Sequence, residues 1–574
     1  MKTAYRRRTA LKGERGYVLV MSALLMLPLL AFAGFAVDIG SWYMYANRMQ
    51  RAADAAALAG VVWMPNDEKA EQVALEAAKA NGFDDAASDI VVSVVPVGNR
   101  RLRVNITDTN VDMYFSRIFL SSVDIQRQAL AEYVQAIPMG SPDNILGNDP
   151  DRWNVAGYTR PYYWLNVAGP NAEKQQGDRY TANDCNSTFS GCTASTSSGQ
   201  NLDYSDSGYF YRLSVDSRPA SGNLTIDAFD PAFTAVGAQC SSTQSTNLIS
   251  TSASNYATMI SNLQGKGLSD AATRYTYSTG TTDRYFCSGD TSYGGSDMQT
   301  SYIVRAPDNT PFDNFDNPII CGKTFGAYNS NVYDLLMSDT VVLPENMLYR
   351  NHFRKWTTLC TIPWSSITVG DYLVQVTSTA SQTTPPSSLG TYDPAIDTGG
   401  YNKFSLRAGF GTPNSAGYAS GVNIFADGRL PIYVNEAPTT GTSFYLARIV
   451  PEYAGQMLEL ELFDIGDGSP GDVTVVAPTD MTGSGIANCT FIRDGSPPVV
   501  TTSATCTQTG LSAGAGYNGK VLTVQVPLPD NYSCNAGSDT GCWFKISIVF
   551  SSSAVTDQTT WSARVRGDPV RIVE

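Results

Sequence analysis

The chain has 574 residues, enough for about three or four domains of ordinary size. Hydrophobic residues make up 43%, so cores can be buried, but only 16% of residues are charged, and the surfaces must rest on Ser, Thr, Asn and Gly. A net charge of −14 argues against a nucleic-acid partner, because phosphate contacts need a basic surface.

The charge is unevenly placed. Lys2, Arg6, Arg7, Arg8, Lys12 and Arg15 face a single acid, Glu14, in the first fifteen residues, and the rest of the chain is strongly acidic. The basic segment 1–15 precedes an uncharged stretch from Gly16 to Val37. As a helix at about 1.5 Å per residue, this stretch spans about 33 Å, enough for a hydrocarbon core of about 30 Å. A transmembrane helix is expected over 16–40, with the basic N-terminus cytoplasmic and the bulk of the chain outside. A cleaved signal peptide competes, since Ala31-Phe32-Ala33 is an A-x-A site. The retained anchor is favoured because apolarity continues through Gly34, Phe35 and Val37, and helix-forming sequence runs on to about Trp63. Asp38 falls where this helix should leave the membrane and is expected to reach water.

The helix continues through Ala52, Ala53, Ala55, Ala56, Ala57 and Ala59, small side chains that let neighbouring helices approach closely, and Pro65 ends it. A second helix is capped by Asn66 or Asp67, carries an apolar stripe at Ala70, Val73, Ala74, Ala77 and Ala78, and stops at Asn81-Gly82. Ile90–Val97, a Gly98-Asn99 turn and the alternating Arg101–Ile106 read as a hairpin. A short helix over Asp112–Leu120 and a strand over Asp124–Ala136 complete a small α/β module at 41–137.

Arg15-Gly16, Leu27-Pro28-Leu29-Leu30, Ala36-Val37-Asp38-Ile39-Gly40, Tyr43 and the run Arg48–Gly60, with Asp38, Gly40, Arg51, Ala53, Asp54, Ala57 and Gly60 as signature positions, form one long motif. By this motif the N-terminal part resembles the TadE/TadG-like family, the pilin-like membrane proteins of tight-adherence (Flp) pilus assembly. The resemblance covers about residues 15–137 and extends to Val111–Ala136 with Phe115 and Phe119. It implies a membrane protein whose partners are other pilin-like or tight-adherence assembly proteins. One family feature is missing: Gly16 is followed by Tyr17-Val18-Leu19-Val20-Met21 without the Glu of prepilin cleavage sites.

Residues 138–574 read as β-rich, with strand-like runs between Gly, Pro, Asn and Ser clusters. An internal echo links Tyr209–Pro231 to Ser443–Asp467. Each copy has an aromatic strand, a Gly (Gly222, Gly455), an alternating strand and then Phe-Asp (Phe229-Asp230, Phe463-Asp464). The expectation is two β-sandwich domains, 138–376 with a loop-rich insertion near 241–300, and 399–574, joined by a Ser/Thr/Pro-rich linker at 377–398. The fold class is therefore multidomain: a transmembrane helix with a small α/β module, then two mainly-β domains.

All ten cysteines follow residue 184, and no C-x-x-C occurs, which points to disulfides in an oxidising compartment. Sequential closeness suggests Cys185–Cys192, Cys489–Cys506 and Cys534–Cys542, with Cys321–Cys360 and Cys240–Cys287 for the remainder.

His352 is the single histidine, which weakens any Ser–His–Asp scheme, and no P-loop or H-E-x-x-H appears. No cofactor is expected unless Asp464, Asp467 and Asp472, in the Gly-rich FDIGDGSPGD turn, hold calcium; a solvated turn is the plainer reading. Asp227 and Asp230 in the first copy are weaker candidates, and Asp313 with Asp316 forms another acidic loop. Tyr162-Tyr163-Trp164, Trp356 and Trp364 could line a glycan-binding face, although aromatics on strands are more often core. The leading expectation is a non-enzymatic, membrane-anchored protein of the bacterial envelope that assembles or anchors Flp pili and turns its β domains outward. The alternatives are a secreted or tethered lectin-like adhesin that binds surface glycans and, less favoured, an envelope hydrolase using paired carboxylates.

Overall fold

The computed structural model describes residues 15–573 except 235–260, 266–285, 327–351, 379–387, 390–398 and shorter loop pieces (65, 98–100, 134–135, 153–154, 186–188, 194–198, 262–264, 293–297, 309, 311–312, 415–416, 420–421, 435–440, 467–469, 552–554 and 567–569). The basic segment, the Gly98-Asn99 turn and most of the expected 241–300 insertion lie outside the described residues. The chain forms two compact units, one of residues 1–135 with 309–312 and 568–574, the other of 136–308 with 313–567.

The first unit is built on helix α1 (Arg15–Val61) and helix α2 (Asp67–Ala80). The α2 start follows from its sequence. The Asn66 side chain accepts the N–H of Lys69 at 3.1 Å, and Asp67 and Glu68 lie at the positive end of the helix dipole. Ala70, Ala74 and Ala78 recur every four residues and are buried against α1. Strands β1 (Ile90–Val97), β2 (Arg101–Asp108) and β3 (Ile125–Tyr133) pair antiparallel in that order, and the C-terminal strand Val570–Ile572 adds to β3. The alternation read in β2 puts Leu102, Val104 and Ile106 against the helices. The expected helix over 112–120 shrinks to a single 3-10 turn, Ser116–Ile118. Its apolar residues form no stripe buried on the module: Tyr114, Phe115, Ile118 and Phe119 are exposed, so no packing gain extends the turn.

The second unit is mainly β. Leaving aside short flanking strands, those that build its two main sheets are, in chain order, β4 (Pro138–Met139), β5 (Trp164–Ala168), β6 (Tyr209–Val215), β7 (Leu224–Phe229), β8 (Thr300–Arg305), β9 (Ile319–Phe325), β10 (Trp356–Ile362), β11 (Gly370–Thr377) and β12 (Gly400–Asn414). They continue with β13 (Asn423–Asp427), β14 (Arg429–Val434), β15 (Thr442–Arg448), β16 (Met457–Phe463), β17 (Gly471–Val476), β18 (Cys489–Arg493), β19 (Val499–Ser503), β20 (Thr507–Leu511), β21 (Val521–Pro527), β22 (Trp543–Phe550) and β23 (Asp557–Val565). Among these strands one sheet has the order β10-β7-β12-β5-β14-β23-β16-β21-β18-β19, and the other β9-β8-β11-β6-β13-β4-β15-β22-β17-β20. The sheets face each other across aromatic contacts, Tyr211 to Phe404 at 6.2 Å and Phe444 to Trp561 at 5.3 Å.

Both orders read the same outward from their centres. Strands β4 to β12 match, in chain order, β13, β14, β15, β16, β17, β20, β21, β22 and β23, while β18 and β19 are an added hairpin. The unit is thus a pair of related β-sandwich halves. The expected boundary at 377–398 is corrected: β12 completes the first half between β7 and β5, so the halves meet near 415–422. They also exchange strands. β4 of the first half pairs with β15 of the second, and β13 of the second pairs with β6 of the first, while β5 and β14 join antiparallel at the centre.

The echo in sequence has a structural cause. In both halves the Asp after the second echo strand takes a left-handed backbone, φ 51° at Asp230 and 59° at Asp464. Asp230 donates its N–H to Lys355 O at 3.0 Å and accepts the Arg354 N–H at 3.0 Å. Asp464 donates to Lys520 O at 2.9 Å and accepts the Gly519 N–H at 2.5 Å. Each buried aspartate therefore locks the end of one strand to the start of its neighbour, β7 to β10 and β16 to β21.

Candidate functional site

The most distinctive chemistry lies along α1, which changes character part-way. From Tyr17 to Val37 every side chain is exposed, and only Gly34 is buried. From Ala46 onward one face is buried: Met49, Ala52, Ala53, Ala56, Ala57 and Val61 pack on α2, β2 and β3. The small side chains set the distance. A Cβ on Gly60 would lie 2.5 Å from Leu102 Cδ2, 2.7 Å from Ala70 O and 2.9 Å from Ala74 Cβ, so the crossing of α1 and α2 needs glycine. Tyr17–Val61 is one helix long and apolar enough to cross a membrane.

The change of character coincides with Asp38. Its side chain is fully buried, which corrects the expectation that it reaches water. The carboxylate accepts the backbone N–H groups of Tyr114 at 3.0 Å, Phe115 at 2.9 Å and Ser116 at 2.5 Å, so it caps the 3-10 turn. Beside it the Trp42 indole donates to Asp112 O at 3.1 Å, and the Phe115 ring lies over Gly34, where a Cβ would come within 2.8 Å of Cγ. A buried charge with three amide donors is satisfied without a counter-ion.

Residues 16–64 match the Tad family model, described as Flp pilus-assembly TadE/G-like. The segment therefore carries a TadE/G-like module. The match covers the apolar helix, Asp38 and the docking alanines, and it ends before the strands of the head. No curated protein and no solved structure matches the chain.

The signature residues of the TadE/G-like module divide into two sets. Asp38, Ala53, Ala57 and Gly60 hold the helix to its own head. Asp54 accepts from Gln50 at 2.9 Å, and Gln50 also donates to Gln128 O on β3 at 2.8 Å. Arg51 is exposed, with Nε donating to Asn47 O at 3.4 Å, and Gly40 has open space where a side chain would be. Sequence reasoning missed the partners of Asp38, residues 114–116, and the close approach at Gly34. A pattern search over one helix carries no signal for contacts seventy-six positions away.

The other expected site residues are dispersed. Asp464 serves the strand lock, Asp472 accepts the Gly510 N–H at 2.8 Å, and Asp467 lies outside the described residues. No group of three His, Cys, Asp or Glu side chains that could hold a metal occurs among the described residues. Asp227 is buried and accepts from Arg407 Nε at 2.9 Å, the Tyr418 hydroxyl at 2.8 Å and the Thr358 hydroxyl at 2.8 Å. Asp313 accepts the Phe315 N–H at 2.8 Å within its own loop. Tyr163 and Trp164 are core residues, and the exposed Trp364 carries the Arg218 guanidinium 3.9 Å over its ring. Burial, with Lys323 nearby, pushes His352 down to about 3, so its imidazole is neutral. The disulfides join Cys185–Cys192, Cys321–Cys360, Cys489–Cys506 and Cys534–Cys542. Cys287 is also disulfide-bonded, while Cys240 lies outside the described residues.

Proposed function

We propose that this protein is a single-pass, non-enzymatic component of the bacterial envelope that works in the assembly or anchoring of tight-adherence (Flp) pili. The observation that carries the reading is the division of one helix into a fully exposed apolar half and a docked half, within the segment that matches the TadE/G-like family. The exposed half has no use for water and suits lipid or other apolar helices. The basic residues before it favour a cytoplasmic N-terminus, with both folded units outside. Other pilin-like or tight-adherence proteins are the expected partners, and Gly40 and Arg51 are open to them. The acidic β unit would face outward for adhesion or contact with the cell wall.

The non-enzymatic reading draws support from the buried ionisable groups. Asp290 accepts the N–H groups of Thr234 at 2.7 Å and Lys403 at 2.8 Å, and both Asp290 and Lys403 are fully buried. Such groups fix loops and are not offered to a substrate.

The test is deletion of the gene followed by counting of surface pili, with mass spectrometry of the mature N-terminus in membrane and medium fractions. Loss of pili, with a membrane form that retains residues 16–37, is the expected result. Normal piliation, with a form beginning at Gly34 in the medium, would overturn the reading in favour of a secreted glycan-binding adhesin.

A further inference from the structure

The turn capped by Asp38 presents a second apolar surface. Tyr114 is 69% exposed, Phe115 53%, Ile118 83%, Phe119 74% and Leu120 40%. Five large apolar side chains in seven residues, all facing out, are a costly surface for a small head domain. The position of the turn is fixed by named contacts. Phe115 lies on Gly34, and the N–H groups of 114–116 bond to Asp38, so the turn sits beside the last helical turn of the apolar span. Gly34 is about 6 Å along the helix from Asp38, inside the uncharged stretch, at about 1.5 Å per residue. Helix side chains on either side of Asp38, Phe35, Ile39 and Tyr43, are also exposed, and Trp42 is hydrogen-bonded to the same loop. Arg117, exposed within the turn, supplies a cation at the height of lipid phosphates. Aromatic and aliphatic side chains with one basic residue, level with the end of a membrane span, are what an interfacial segment requires.

We propose that Tyr114–Leu120 is an interfacial wedge, which inserts Phe115, Ile118 and Phe119 into the outer leaflet beside α1, with Arg117 at the headgroup phosphates. The lipid bilayer is its occupant. Asp38 then acts as the hinge pin that holds the wedge at membrane height, which accounts for a buried charge at the end of an apolar helix. The head is oriented on the membrane by two contacts, α1 and the wedge. This rests on the reading that α1 spans the bilayer.

The full chain is reconstituted in vesicles of 3:1 phosphatidylcholine to phosphatidylglycerol, with no other protein present. An environment-sensitive fluorophore is placed by Ile118→Cys, by Leu25→Cys in the span, and by Gln72→Cys on the exposed face of α2. Doxyl-labelled lipids and aqueous iodide serve as quenchers. The expected result is that the label at 118 emits blue-shifted light, is quenched by shallow doxyl lipid several-fold more than the label at 72, and is protected from iodide. Asp38→Asn should return the label at 118 towards the behaviour at 72 while leaving the label at 25 quenched by deep doxyl lipid. Quenching at 25 without quenching at 118 overturns the wedge and leaves the anchor standing, and would point to a protein partner for the same patch. Absence of lipid quenching at both sites overturns the anchor, and the wedge with it.

Discussion

Replacing Asp38 by Asn should release the turn at 114–120 without unfolding the head. The carboxylate accepts three backbone N–H groups at 3.0, 2.9 and 2.5 Å. An amide of nearly the same shape keeps one acceptor oxygen but loses the charge and turns an NH2 towards backbone N–H groups. A charge-assisted hydrogen bond contributes about 1.5–3 kcal/mol and a neutral one about 0.5–1.5 kcal/mol, so weakening the three together costs about 2–4 kcal/mol locally. At about 1.4 kcal/mol per tenfold, opening of the turn becomes roughly 30- to 1,000-fold more frequent. The docking stripe from Met49 to Val61 shares no contact with the carboxylate, so the head should stay folded. Amide hydrogen exchange at Tyr114–Ser116 measures the opening directly. Trypsin cleavage after the exposed Arg117 reports it independently, on protein in nanodiscs. Exchange at 114–116 equal to that of the parent protein would refute the cap as the element that orders this turn.

Three further outcomes follow from other contacts. Gly60→Val places side-chain atoms where a Cβ alone would already be 2.5 Å from Leu102 Cδ2. It should cost at least about 1–3 kcal/mol of overpacking and lower the melting temperature of the head, read by near-ultraviolet dichroism. Burial alone would raise the Glu132 carboxyl, but the guanidinium groups of Arg571, at 2.8 Å, and Arg101, at 3.2 Å, outweigh it and hold the carboxyl below its ordinary range. A depressed folded value means that this contribution is complete above the unfolded value and is lost as pH falls below it. Glu132→Gln should therefore destabilise the head by about 1–3 kcal/mol at pH 7 in urea titrations, and the gap from the parent should narrow as the pH is lowered into the acid range. An equal gap across that range would show that the carboxylate charge is not the source. Cys321–Cys360 closes a separation of 39 residues and Cys534–Cys542 one of 8. In the chain-entropy account, Ser replacement of the longer pair should cost about 4 kcal/mol and of the shorter about 2.5 kcal/mol, measured by thermal unfolding.

What could be read from the sequence was local. The Asn66 cap, the alanine stripe of α2 and the alternation of β2 each depend on neighbours within one or two turns, and all three are present. The apolar span and the docking alanines were legible for the same reason: periodicity and length are properties of a single segment. Asp38 was misjudged because position along the helix says nothing about residues 114–116, which reach it only after two helices and a hairpin have packed. Asp464 could be read either as a calcium candidate or as part of a solvated turn, because an acidic, Gly-rich stretch has the same composition in both cases, and composition does not show that its carboxylate accepts the Gly519 N–H. The echo between Tyr209–Pro231 and Ser443–Asp467 was visible because both copies preserve the Phe-Asp lock. The domain boundary was misplaced because the composition of a Ser/Thr/Pro-rich stretch does not say to which sheet the next strand belongs, and β12 lies between β7 and β5.

The exchange of strands between the halves has a consequence for folding that composition cannot anticipate. With residues 136–414 alone, β6 loses β13, which pairs with it from Asn423 to Ala426, and β5 loses β14 at Leu165 and Trp164. The unpaired edges belong to the middle of the sheets, where Trp164, Leu165, Tyr211 and Leu213 are buried. An exposed central edge lined by such residues is an aggregation surface, and native sheets do not leave one open. Residues 136–414 and 415–567, expressed apart in an oxidising compartment, should each be insoluble or pair with a second copy of themselves through the open edge. Expressed together, they should recover a 1:1 complex whose melting approaches that of the intact unit. Sedimentation equilibrium distinguishes these states. A soluble monomer of 136–414 with cooperative melting near that of the intact unit would show that the first half closes on its own, and the shared centre would then be an accessory contact and not the core of one folding unit.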